Sequence, residues 1–166
     1  KALGASLILE PLDVFDIGKM AVLQDPVGAF LNLWQPLKHI GAQVKDEPNS
    51  FCWNELLTND VDRSEAFYRE LFGWTVQTEG DPPYTIVTLA GKPAGGMMAI
   101  QSEWGPVPPH WLEYFAVDDC DEAAERSKSL GGSIPSPPRD IPDIGRFALV
   151  CDPQGAMFGI IKVAGA

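Results

Sequence analysis

A chain of 166 residues with 45% hydrophobic content holds enough apolar material for one buried core and a fraction of a second. Twelve basic against twenty-three acidic residues give a formal charge of -11, which repels phosphate backbones and anionic lipid heads and argues against nucleic acid and membrane surfaces as partners. Three cysteines in no metal-like spacing, and no apolar run near the roughly 18 residues of a membrane span, fit a soluble cytoplasmic protein with reduced thiols.

From its first residue the chain repeats itself. Sliding it by 127 positions aligns residues 1–34 with 128–161 without a gap, and fourteen of the thirty-four pairs are identical, among them Gly18/Gly145, Asp25/Asp152, Pro26/Pro153 and Gly28/Gly155. A register held that long marks duplication. "KALGAS" then corresponds to "KSLGGS", the tail of a helix, so the chain is expected to open inside a structural unit. Residues 1–36 read as the closing strands of an incomplete domain, and 37–50 as a linker. The shared "DP-x-GA" step reads as a hairpin turn, because Pro presets its backbone angle, Asp bonds nearby amides and Gly accepts positive φ.

The rest, 51–166, contains a second repeat at an offset of 59, which matches Asp60/Asp119, Asp62/Asp121, Leu71/Leu130 and Gly73/Gly132. "FCWNELL" and "HWLEYFAV" have the apolar and aromatic content of strands. Asp60 and Asp119 are N-cap candidates, and the glycines at 73, 131 and 132 are helix stops. Further strands are predicted at 74–78, 84–90 and 95–101, then at 132–136, 146–151 and 157–163. The expected order is strand, helix, three strands, written twice as modules 51–101 and 110–164, an α+β architecture.

"WNELLTNDVDRSEAFYRELFGW" resembles the opening strand and helix of the vicinal oxygen chelate superfamily, which groups glyoxalase I, bleomycin-resistance proteins and extradiol dioxygenases, and "DPQGAMFGII" is similar to its closing hairpin. The tandem layout and "FCWNELLTNDV" resemble actinobacterial two-domain glyoxalase-like proteins of the secreted-antigen and hydroxylase type. The resemblance implies paired βαβββ modules forming a cupped, incomplete barrel. It also implies, in metal-dependent members, ligands from the first and last strand of each module. Those positions fall on Trp53, Leu112, Gly159 and the neighbourhood of Met98, with Asn32 in the incomplete domain. None of these side chains suits a hard divalent ion. The expectation is therefore a domain with no metal and no cofactor.

An emptied metal cup can still hold a small apolar or aromatic molecule. By strand alternation Trp53 and Glu55 share one face, as do His110, Leu112 and Tyr114; with Met98 they are the expected ligand-binding residues, unless the aromatics serve as core. Glu55, a carboxylate in an apolar strand, reads as a ligand anchor, a general base, a partner to a buried donor, or a solvated rim group. No catalytic residue is assigned. The alternatives are a lyase or a hydroxylase- or dioxygenase-like enzyme that draws groups from a missing domain or partner, and a structural role with homodimerisation through the incomplete N-terminal strands.

Overall fold

The doubled DP-x-GA segment folds as the same turn in both copies. In the first, the Asp25 N–H donates to the Ala29 carbonyl at 2.8 Å and Gly28 takes φ 121°; in the second, the Asp152 N–H donates to Ala156 at 2.8 Å and Gly155 takes φ 98°. These glycines sit where a side chain would be strained. The computed structural model describes residues 1–165. In it β1 (Ser6–Val14), β2 (Gly18–Gln24) and β3 (Phe30–Pro36) form an antiparallel sheet in that order, with the first turn joining β2 to β3.

Two βαβββ modules follow, as the 59-residue repeat predicts. The first is β4 (Phe51–Thr58), α1 (Val61–Phe72), β5 (Thr75–Glu79), β6 (Tyr84–Leu89) and β7 (Lys92–Ala99); its strands lie in the order β5-β6-β7-β4, with β7 parallel to β4. The second is β8 (His110–Ala116), α2 (Cys120–Ser129), β9 (Ser133–Ile141), β10 (Gly145–Cys151) and β11 (Met157–Val163), ordered β8-β11-β10-β9, with β11 parallel to β8. Both helices start on the expected aspartates. Asp60 accepts from the Arg63 N–H at 3.0 Å and Asp119 from the Glu122 N–H at 2.9 Å, each satisfying one orphan amide of a first turn. Gly73, at φ 69°, ends α1 by donating to the Arg69 carbonyl.

Two strands differ from expectation. β9 runs on to Ile141 through Pro135, Pro137 and Pro138, because it lies at an edge of its sheet where a missing N–H costs no ladder bond. β7 begins at Lys92 because its hairpin is a two-residue turn, with Ala90 and Gly91 at φ 50° and 75°.

The chain divides into two compact units: Lys1–Gln43 with Asn54–Trp111, and Val44–Trp53 with the chain from Leu112 onward. In the first unit, Leu23 and Ala29 of the N-terminal hairpin join Leu56, Phe67, Tyr68, Val87 and Met97 in one core, with Trp74 and Trp111 packed against it. Asp25, only 5% exposed, is pinned there: its Oδ1 accepts from the amides of Val27, Gly28 and Ala29 at 2.8, 2.7 and 3.0 Å, and its Oδ2 from the Tyr68 hydroxyl at 2.9 Å. The Trp111 indole N–H donates in turn to the Tyr68 oxygen at 3.1 Å. A buried carboxylate is tolerable only with such partners. In the second unit the core is Cys120, Ala124, Ala148, Val150 and Ile160 between α2 and its sheet. There the sibling turn lies nearer solvent, and among the described residues the Asp152 side chain accepts from the Gln154 and Ala156 amides.

Asp25→Ala is expected to lower unfolding free energy by about 3 kcal/mol, against about 1 kcal/mol for Asp152→Ala, since hydrogen bonds to a buried charge are the costlier to lose. Urea titration of both variants checks the difference. Burial first, and the Asp25 carboxylate second, hold the Tyr68 phenol protonated far above its ordinary value of 10. An unfolded chain releases that proton earlier, so stability is intact below pH 10 and falls as pH rises beyond it. Alkaline unfolding curves of Tyr68→Phe should show a shallower decline than the parent.

Candidate functional site

The parallel pairing inside each module fixes which residues of the opening and closing strands meet. In the first unit Glu55 lies opposite Gly96, and Leu57 opposite Met98; in the second unit Tyr114 lies opposite Gly159. Since Tyr114 stands 59 positions after Glu55, Gly96 is the structural counterpart of Gly159. The closing-strand position in the first module is therefore Gly96, two residues before the Met98 expected from sequence. The short Ala90-Gly91 hairpin, in place of a five-residue DP-x-GA turn, shifts that register.

Both glycines are covered by tyrosine. A Cβ on Gly96 would collide with the hydroxyl and ring of Tyr84, and a Cβ on Gly159 with the ring of Tyr114. Neither glycine has a left-handed φ, so space rather than backbone angle selects for Gly. The metal-ligand positions implied by the fold thus carry Trp53, Gly96, Leu112 and Gly159, none of which offers a side-chain donor for a hard ion. Among the described residues no group of three or more His, Cys, Asp or Glu side chains converges as a metal site. The donor set does not fit a divalent metal.

The remaining candidates fall on two faces. In the first unit Glu55, 9% exposed, and the half-buried Met98 lie with Gly96 on the side of β4 and β7 opposite Leu56 and Met97, which pack toward α1. His110 is half-buried at the start of β8, and its Nδ1–H donates to the Pro108 carbonyl at 2.8 Å, which fixes the ring and leaves Nε2 as its other polar atom. In the second unit Leu112 and Tyr114 are buried, at 1% and 8% exposure, and Trp53 at the start of β4 is half-buried. Tyr114 lies 6.4 Å from Phe147, ring centre to ring centre, and the Arg139 guanidinium carbon sits 4.7 Å over the Phe147 ring. Arg139, Phe147, Tyr84 and Gly96 were not among the sequence candidates. Period-two alternation from Phe147 to Leu149 signalled an inward face, but its pairing with Arg139 depends on an irregular β9–β10 register.

Two of the three thiols are pushed away from the thiolate form. Burial first and Asp46 second push the Cys52 thiol up, and its Sγ–H donates to the Tyr114 carbonyl at 3.4 Å. Cys120 is pushed up to about 11, by burial first and by the Asp121 carboxylate second. Surface depressions of about 630 Å³ along α1 and about 360 Å³ around Asp140–Arg146 are lined by none of the six candidate residues.

With this geometry in place, comparison with known proteins decides the family. The profile of the Glyoxalase/Bleomycin resistance protein/Dioxygenase superfamily matches residues 37–160. The chain belongs to this superfamily. It is 38% identical over 164 residues to "Putative glyoxylase CFP32" of Mycobacterium tuberculosis, covering 97% of this chain and 62% of that protein. It is 36% identical over 162 residues to the anthracycline biosynthesis protein DauV of a Streptomyces species, covering 96% of this chain and 58% of the relative. The chain thus spans about three-fifths of the length of these relatives. Among solved structures, the 2,3-dioxygenase LapB from Pseudomonas sp. KL28 superposes with a TM-score of 0.65 at 12% identity, over 97% of this chain and 64% of that one, a likeness of fold alone. The glyoxalase-like α+β architecture, with repeated βαβββ modules and a small N-terminal three-stranded sheet, is the fold of this protein.

Gly159→Ala is expected to cost about 2 kcal/mol of stability, because the added methyl overpacks the Tyr114 ring. Tyr114→Ala removes that obstacle. A double-mutant cycle read by thermal or urea unfolding should give a coupling of at least ~1 kcal/mol in favour of the double variant, and additive effects would contradict the contact.

Proposed function

We propose that this chain is the ligand-holding part of a glyoxalase-like protein that takes a small apolar or aromatic molecule without a metal ion. The observation that carries this reading is the replacement of ligand-bearing positions by glycines under tyrosine rings, next to an aromatic face built of Leu112, Tyr114 and Phe147. Aromatic rings bind flat apolar ligands through area and quadrupole geometry and need no charge for it. Support for the ligand class comes from the relatives DauV and DnrV, both named for anthracycline biosynthesis. The proposed setting is cytoplasmic, supported by the free thiols of Cys52, Cys120 and Cys151.

A second reading, catalysis of the lyase or oxygenase kind known for the superfamily, rests on Glu55. A carboxylate at 9% exposure on an apolar strand has the burial of a general base or anchor. Glu55→Gln separates the two: loss of turnover with ligand affinity retained favours the enzyme, and no change in either removes Glu55 from function.

The binding reading is tested with chelator-treated protein and a hydroxyanthraquinone probe, by quenching of tryptophan fluorescence. Saturable binding, unaffected by chelator and weakened about tenfold by Trp53→Ala or Tyr114→Ala, is the expected result, since each ring supplies on the order of 1.4 kcal/mol. Circular dichroism confirms that the variants fold. Absence of binding by the parent, or binding that requires added metal, overturns the reading.

A further inference from the structure

The closing strand of a module occurs three times in this chain, as β3, β7 and β11, and two of the three carry a neighbour on their outer edge. β7 pairs in parallel with β4 and β11 with β8, while β3 ends its three-stranded sheet. The 127-residue offset places Asn32 at the position of Gly159 and Trp34 at that of Ile161.

The phase of the ladder decides which backbone groups β3 holds out. Because the Asp25 N–H donates to the Ala29 carbonyl, the hydrogen-bonded pairs of β2 and β3 continue at Leu23/Leu31, Ala21/Leu33 and Lys19/Gln35, and Asn32 and Trp34 turn both N–H and C=O outward. None of these four groups has a backbone partner among the described residues. In the second unit the equivalent groups are used: Gly159 and Ile161 lie opposite Tyr114 and Ala116, and the Ile161 carbonyl accepts from the Val117 N–H at 2.9 Å. An open edge also leaves its face open. Phe147 and Ile161 are buried, whereas their counterparts Met20 and Trp34 are only half-buried, and Leu12 and Phe30 are 38% and 57% exposed.

One register position differs in chemistry from both filled copies. Gly96 and Gly159 lie under tyrosine rings that a Cβ would strike. Asn32 brings that Cβ, and beyond it an exposed amide with two donors and an acceptor.

We infer that the outer edge of β3 is a docking site for a parallel strand, the opening strand of a further βαβββ module of a longer protein, and that this strand carries a hydrogen-bonding side chain rather than an aromatic ring opposite Asn32. The two filled copies show what covers such an edge, and about two-fifths of the length of the relatives lies outside the match, which is room for such a module. Strand addition draws affinity from main-chain hydrogen bonds and selectivity from alternate side chains. The open groups of Asn32 and Trp34 therefore hold the strand, and the Asn32 amide selects it.

The test uses the full chain with two peptides that stand in for the occupant: HWLEYFAV, the 110–117 segment of this chain, and HWLEQFAV, the same segment with Tyr114→Gln, each extended by a pair of lysines for solubility. Hydrogen exchange in the chain alone is expected to be fast at the Asn32 and Trp34 amides and slow at Leu31, Leu33 and Gln35. The glutamine peptide should slow exchange at Asn32 and Trp34, with an affinity about tenfold above that of the tyrosine peptide. Asn32→Pro removes one outward donor while leaving the β2–β3 ladder whole, and should abolish the protection of Trp34 by the peptide; circular dichroism confirms that this variant folds. If neither peptide slows those two amides, the docking site is overturned. Equal affinities, or a preference for the tyrosine peptide, overturns the polar match at Asn32. A concentration-dependent dimer in sedimentation that Asn32→Pro abolishes would put a second copy on the edge and overturn the assigned occupant.

Discussion

A tyrosine ring lying over a closing-strand glycine is the packing contact that both modules share. Parallel pairing of a closing strand against its opening strand brings position 96 opposite 55 and position 159 opposite 114. Whatever stands at 96 and 159 faces the interior side of its sheet. A carboxylate there would bring a metal-binding oxygen; glycine brings room, and the rings of Tyr84 and Tyr114 fill it. An aromatic surface thus replaces a donor atom, and the interaction it favours is stacking and apolar contact. Because a Cβ at either glycine would strike the ring above it, glycine and tyrosine constrain each other, and a larger side chain at 96 or 159 requires the tyrosine to move.

The same duplication diverged in how its turns are used. Both DP-x-GA segments close a hairpin by the same backbone bonds, yet only Asp25 is buried and only Asp25 meets a phenol. The position of Tyr68 corresponds to Ser127 in the other helix, whose hydroxyl bonds back to the Ala123 carbonyl instead. One turn has become a fastening of β1–β3 onto the first module's core, while the other remains a surface corner. That fastening explains why a sheet with many exposed apolar side chains, such as Ile8, Leu12 and Phe30, still holds a defined place in its unit.

Much of this was legible in the residues. Offsets of 127 and 59 gave the two modules and the N-terminal sibling strands, and the aspartates at 60 and 119 gave both helix starts, because turns and caps are local chemistry that spacing preserves. The register of β7 was not legible: it depends on a two-residue Ala-Gly turn with positive φ at an alanine, which sequence preference does not announce. The reach of β9 was hidden for a related reason, since three prolines signal a break unless the strand is known to lie at an edge. Of the six site candidates, Glu55, Leu112 and Tyr114 are buried on their strands, whereas the pairing of Arg139 with Phe147 crosses a bulged ladder that no local pattern encodes.

Equivalent positions that carry unlike groups are where a duplicated fold acquires chemistry. Position 55 holds a carboxylate and its counterpart 114 a phenol; position 139 holds a guanidinium and its counterpart 12 a leucine. Backbone geometry is shared at each pair, so folding alone does not demand the difference. One inherited backbone thus carries a carboxylate at 55 against a phenol at 114, and a guanidinium at 139 against a leucine at 12, unlike chemistry on like frames.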